Sequence, residues 1–192
     1  MKHIFSKIIR ILTIPPLMAL LTFLSLYFHG RVLINVSDLL LAIFTITVLP
    51  IMGYIIQPFV GHHIHYFSGR EGQRKMAMFF CVAGYVIGMI VTIFINPNRE
   101  ILLIYLGYFI SGMTILICNL LGFRLSGHAV GAAGPVAILL TFHLTEWIIG
   151  LVLIFFVMVA SLKMKRHKTS ELVAGILLPF ILLPILQKLL GV

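Results

Sequence analysis

Seven apolar stretches, at about 11–28, 39–60, 76–95, 101–123, 126–142, 146–162 and 172–186, occupy most of the chain. A hydrocarbon core about 30 Å thick is crossed by about 20 helical residues, and inside it a backbone has no water to satisfy its polar groups. Runs of this length and number therefore predict an all-α chain, a polytopic transmembrane helical bundle of about six to seven spans. Composition closes the soluble alternative, because 61% hydrophobic and 10% charged residues in a chain of 192 leave little to coat an aqueous surface. One integral membrane domain over 1–192 is expected.

The net charge of +9 would point to nucleic acid in a soluble protein. Here the basic residues sit at the ends of apolar segments, where they set topology and meet anionic lipid, so the expected partner is the bilayer and not nucleic acid. Cys81 and Cys118 lie inside apolar runs without CxxC or Cys/His spacing and read as small buried hydrophobes. His62, His63 and His65 have no carboxylate or cysteine nearby to complete a ligand set, so no metal or other cofactor is expected. Lys2, Lys7 and Arg10 precede the first run, but no small-x-small cleavage pattern follows before His29, which predicts a retained first span.

In chain order, Pro15-Pro16 mark the start or a kink of the first span, where missing amide donors are best tolerated. Pro50, Gly53 and Pro58 predict a broken or bent second helix, and Pro179 and Pro184 a broken last one. Residues 61–75 form the longest polar interruption and read as a loop. Asn96, Pro97, Asn98, Arg99 and Glu100 form a turn between an antiparallel pair of spans. His143, Leu144 and Thr145 form another, with Thr145 as cap of the sixth helix and His143 with Glu146 as a turn pair.

Arg124-Leu125-Ser126-Gly127-His128 is the polar stretch that the apolar runs do not explain, since arginine and histidine near membrane depth cost free energy unless they face partners or a wet cavity. Two crossings separate the cluster around Arg70 from Arg124, and two more separate Arg124 from His167, so all three clusters share one membrane face. Lys2, Lys7, Arg10, Arg70, Arg74, Lys75, Arg124, Lys163, Lys165, Arg166 and Lys168 fall on that face, against Arg31, Arg99 and Lys188 opposite. The positive-inside rule then makes the shared face cytoplasmic, and the expected location is a plasma membrane of prokaryotic type. Nothing in the residues sets an oligomeric state.

Ser126-Gly127-His128, followed some 40 residues later by His167-x-x-x-Glu171-Leu-Val-Ala-Gly175, resembles the type 2 phosphatidic acid phosphatase superfamily, best over the C-terminal half. The family's pattern is Lys-x6-Arg-Pro, Pro-Ser-Gly-His and Ser-Arg-x5-His-x3-Asp. In this chain Leu125 stands for the proline, Glu171 for the aspartate and Ser161 for the third-motif arginine. Around Arg74, Phe67 stands for the lysine and Lys75 for the proline. The resemblance implies a phosphatase-like core over about 61–190, preceded by extra spans over about 11–60.

It also implies roles. His167 would attack phosphorus to give a phosphohistidine, Glu171 would accept its other ring proton, and His128 would protonate the leaving oxygen. Ser126, the Gly127 amide and the helix start would hold phosphate oxygens, with charge from Arg70, Arg74, Arg124 and Lys163. A fifth helix of about 17 residues, roughly 25 Å long, would place His128 slightly below the interface. Gly127 and Gly131 would admit a neighbouring helix. The expected activity is metal-independent hydrolysis of a lipid phosphate or diphosphate, with phosphatidate, phosphatidylglycerol phosphate and polyprenyl diphosphate as candidate substrates. The competing class is a non-catalytic transporter or scaffold of the same fold, for which proline-broken helices would suit alternating access.

Overall fold

The computed structural model describes residues 9, 11–95, 98–164 and 166–192, and for Arg70 the backbone alone. Lys2, Lys7, Arg10, Asn96, Pro97, Lys165 and the Arg70 side chain lie outside the described residues. Among the described residues the chain is all-helical, with no strands. Its principal helices are α1 (Pro15–His29), α2 (Val36–His63), α3 (Gly69–Ile95), α4 (Arg99–Leu120), α5 (Gly127–Thr141), α6 (Trp147–Lys163) and α7 (Thr169–Leu190). Four of them, α2, the Glu71–Ile95 part of α3, α4 and α7, are long and apolar enough to cross a membrane, whereas α1, α5 and α6 are shorter apolar helices.

Local chemistry explains most of the boundaries. Pro15 and Pro16 open α1, where the missing amides cost nothing, and Gly30 ends it in the left-handed conformation at φ 61°. Asn35 and Asp38 form a reciprocal capping box at the start of α2, which therefore begins earlier than the apolar run does. Pro50 cannot donate to the Ile46 carbonyl and its ring crowds that position. The preceding turn widens into a π-helical segment, Ile43–Val48, and α2 continues without breaking. Gly84 of α3 presses against the Thr45 carbonyl of that segment, where no Cβ would fit. Thr45 Oγ1 also meets Tyr105 OH at 3.0 Å, tying the segment to α4.

Three expectations need correction. Residues 61–75 are not a loop: α2 runs to His63, only Ile64 to Ser68 leave the α conformation, and Gly69 onward is already α3. The reason is that Glu71, Gln73, Arg74 and Lys75 are good helix formers. Glu71 and Lys75 pair across one turn at 3.5 Å, and Lys75 Nζ lies 3.7 Å above the Tyr66 ring. Pro179 and Pro184 do not break α7, which is continuous around both. Thr145 does not cap α6: the N-cap is Glu146, whose carboxylate turns away from His143 toward α1, accepting from Ser25 Oγ at 3.0 Å and pairing with His29 Nε2 at 3.3 Å.

The short helix α5 is the centre of the molecule, packed against α7, α6 and α1, with α4 behind. Small residues allow this. Gly131 lies against Pro15 of α1, Gly150 of α6 against Val136, and a Cβ on Gly175 of α7 would stand 3.1 Å from both Ala129 Cβ and the Ser126 carbonyl. The Gly127–Gly131 pair does not work as a unit, because only Gly131 meets a helix and the space beside Gly127 is open. The exposed faces of the helices carry large apolar side chains such as Phe79, Phe94, Ile149 and Ile181, compatible with contact to lipid.

Candidate active site

The site is assembled where α5 and α7 begin. α4 ends at Leu120, Gly122 turns the chain at φ 84°, and Leu125 is buried as an anchor at the position before Ser126. Ser126 is the N-cap of α5: its Oγ accepts from Ala129 N at 3.4 Å, and its own amide donates to the Glu171 carbonyl at 3.4 Å. With no exposed surface and no place in the cavity wall, Ser126 positions the helix start. Ser126→Ala is therefore expected to cost about 1 kcal/mol of stability, read as a fall of roughly 2–4 °C in detergent unfolding.

α6 stops at Lys163, with Met164 as its C-cap and the Arg166 amide donating back to the Ser161 carbonyl. His167 therefore stands in a short link before α7 and not on a helix. Lys163 is exposed and outside the cavity wall, and the end of α6 leaves it no helical turn in common with His167. Arg166, after the chain turns, occupies the wall in its place.

His167 is held by its Nδ1, which lies 3.0 Å from the Arg124 carbonyl and 3.1 Å from Glu171 Oε2. A carbonyl can only accept, so Nδ1 carries the proton and Nε2 is left with its lone pair. Glu171 is fixed in turn by the Lys168 amide, which donates to Oε2 at 3.0 Å. Burial of His167 disfavours its charged form and sets its pKa below the ordinary histidine value. Glu171 and the Arg124 carbonyl oppose that shift, and the Arg74 charge adds to it. The ring is thus neutral at physiological pH.

These groups open onto a cavity of about 520 Å³ between α3, α4, α5 and α7. One end gathers Arg74, Arg124, Arg166, His128, His167 and Gly127, and the other is lined by Tyr85, Tyr108, Ile138 and Leu183. First-turn amides of α5 have no intrahelical partner, the Ala129 amide being taken by Ser126, so the open space at Gly127 faces a helix N-terminus. Of the residues singled out in the sequence, Arg74, Arg124, Gly127, His128 and His167 share this cavity, with Glu171 directly behind His167. Ser126 and Lys163 stand outside it, and Arg70 has only its backbone in the first turn of α3.

Sequence reasoning missed Arg166, Tyr108, Ser111 and Asn119. The last three carried a signal: with Ile115 they fall at helical spacing along one face of α4, a polar stripe in an apolar span, and all four line the cavity. Among the described residues no three His, Cys, Asp or Glu side chains gather as a metal site.

Fold and site together define a protein that is all-helical among the described residues, compatible with an integral membrane protein, in which His128, His167, Arg74, Arg124 and Arg166 meet at one end of an amphipathic cavity. Comparison with models of known families, with curated proteins and with solved structures finds no match to this chain.

Proposed function

We propose that the protein is a membrane-embedded lipid phosphate phosphatase, similar in mechanism to type 2 phosphatidic acid phosphatases, spanning a prokaryotic plasma membrane seven times with its site on the cytoplasmic face. The observation that carries the reading is His167. Its Nδ1 proton is committed to the Arg124 carbonyl and Glu171, which leaves a neutral Nε2 in a cavity shared with His128 and three guanidinium groups.

In the first step the Nε2 lone pair forms an N–P bond as the bond from phosphorus to the lipid oxygen breaks, and that oxygen takes a proton from His128. Arg74, Arg124, Arg166 and the amides of the α5 N-terminus hold the phosphoryl oxygens, and planar guanidiniums suit this better than the lysine that the sequence suggested. In the second step a water gives a proton to His128 and attacks phosphorus, the N–P bond breaks, and orthophosphate leaves. With 15 residues, α5 is only about 22 Å long, so its start lies below the interface and a lipid can keep its tail in the bilayer.

The test is phosphate release by the purified protein in detergent with a chelator present, across phosphatidate, phosphatidylglycerol phosphate and polyprenyl diphosphate. Release from at least one is expected; no release from any overturns the reading. A lipid or solute transporter is the second reading, favoured by the π-helical segment Ile43–Val48 beside the cavity-lining α3. Movement of a labelled lipid phosphate across liposomes without hydrolysis would establish it.

The pH profile of kcat/KM supplies a further check. Since only neutral His167 attacks, the acid limb is expected below about pH 6.5. Arg74 opposes protonation, so Arg74→Ala moves the limb to higher pH. Glu171 favours protonation, so Glu171→Gln moves it to lower pH. Shifts of the opposite signs would remove His167 as the titrating group.

A further inference from the structure

Gln57 is a buried polar side chain on α2, one of the helices long and apolar enough to cross a membrane, and it has no place in the wall of the histidine cavity. A polar group in such a helix costs free energy unless it is satisfied. Its Nε2 donates to the Phe67 carbonyl at 2.8 Å, in the 3-10 turn His65–Phe67 that joins α2 to α3. Two glycines enclose the same carbonyl. A Cβ on Gly61 of α2 would stand 2.7 Å from its oxygen, and a Cβ on Gly72 of α3 would overlap the carbonyl group itself. Gln57 thus gives a hydrogen bond to a backbone oxygen over which both helices close.

This contact lies beside one of the three guanidinium groups of the cavity. Gly72 is two residues before Arg74, and two residues after it Met76 carries a carbonyl oxygen 3.0 Å from where a Cβ on Gly53 of α2 would stand. The start of a helix is ordinarily the part that frays. Here the backbone around Arg74 is held against its neighbours on both sides, while the side chain lines the cavity and its charge bears on His167. An arginine has a long, flexible side chain and grips phosphate in a defined place only from a fixed backbone. A displacement of about 1 Å in a positioning group can cost on the order of 10²-fold in rate.

We propose that the tip joining α2 to α3 is a mount for Arg74, and that Gln57, acting through Phe67 and Gly72, is a positioning residue of the phosphate site. This rests on the phosphate site proposed above. Gln57 touches no substrate; it fixes the helix start from which Arg74 reaches the phosphoryl oxygens. The close approach of Gly61 and Gly72 to Phe67 is the other half of the same device, since a side chain at either would push the tip apart.

The experiment is a double-mutant cycle on the purified full chain in detergent, reading calorimetric affinity for non-hydrolysable phosphonate analogues of phosphatidate and of a polyprenyl phosphate. Arg74→Ala is expected to weaken binding of the tighter analogue by about 10- to 100-fold, the loss of charge-assisted hydrogen bonds. Gln57→Met, which keeps the side-chain length and removes the donor, is expected to weaken it by about three- to tenfold when Arg74 is present and by less than about twofold when Arg74 is already alanine. Gly61→Ala is a second, independent disturbance of the mount and should show the same dependence on Arg74. Gln57→Met should also move the acid limb of kcat/KM to higher pH, as Arg74→Ala does but by less. Stability lost in Gln57→Met without these changes is a structural role alone. Wild-type affinity in both Gln57→Met and Gly61→Ala, or an equal loss with and without Arg74, overturns the proposal. Phosphate release from the matching phosphates is measured in parallel. Coupling in binding without release keeps the mount and removes the phosphatase, release without coupling does the reverse, and binding of neither analogue together with no release removes both.

Discussion

Replacing His167 by alanine is expected to lower phosphate release by 10³-fold or more, the scale on which loss of a nucleophile acts. The effect is this large because the groups beside His167 at that end of the cavity are otherwise engaged: Glu71 pairs with Lys75. His128 is the other imidazole of the wall, and the three arginines have no lone pair to offer. Structural damage predicts a different pattern. The His167 ring makes hydrogen bonds to a carbonyl and a carboxylate that solvent can replace, so His167→Ala keeps its unfolding temperature within a few degrees and still binds a lipid phosphonate. Release within tenfold of the wild type would remove His167 as nucleophile.

His128→Ala is expected to cost about 10²- to 10⁴-fold on a lipid phosphate, the range for a general acid. The loss should depend on the leaving group. An alkoxide leaves poorly without a proton, whereas a nitrophenolate leaves readily, so with an aryl phosphate the first step alone, read as the burst of nitrophenolate, should lose no more than about tenfold, the base role of His128 being felt only in the second step. An equal loss on both substrates would mean that His128 binds phosphate and does not protonate the leaving oxygen. The His167 variant provides the contrast, since loss of the nucleophile is felt with either substrate.

The features legible in the sequence are those carried by length and spacing. Long apolar runs require helices wherever water is absent, and the positions of Arg74, Arg124 and His167 at alternate ends of those helices bring them to one cavity. The four-residue step from His167 to Glu171 puts the two side chains in contact even though His167 precedes the helix, because the N-cap turn already has helical reach. What failed was polarity used as a proxy for a loop. Residues 69–75 are polar, but Glu71, Gln73, Arg74 and Lys75 among them are good helix formers, and the helix runs through them. Ser126 shows a second limit, since a serine before a helix can face a ligand or its own backbone, and only the packing of Gly175 against it decides for the backbone. Lys163 and Arg166 show a third: which cation reaches the site depends on the turn after α6, and no periodicity reports that turn. The cavity itself arises from what is missing at Gly127 and Gly134, together with a polar stripe on α4. An absence of side chains becomes a space only when neighbouring helices leave it unfilled.

The central claim is a covalent phosphoryl group on His167 Nε2, and trapping it tests that claim most directly. The protein is mixed with a lipid phosphate carrying radioactive phosphorus, quenched in alkali within milliseconds to seconds, digested and mapped. Label is expected on the peptide containing residue 167, stable in alkali and lost in acid as a phosphoramidate should be, and absent from His167→Ala. Continued phosphate release with no label on that peptide at any quench time, or label retained by His167→Ala, would contradict it.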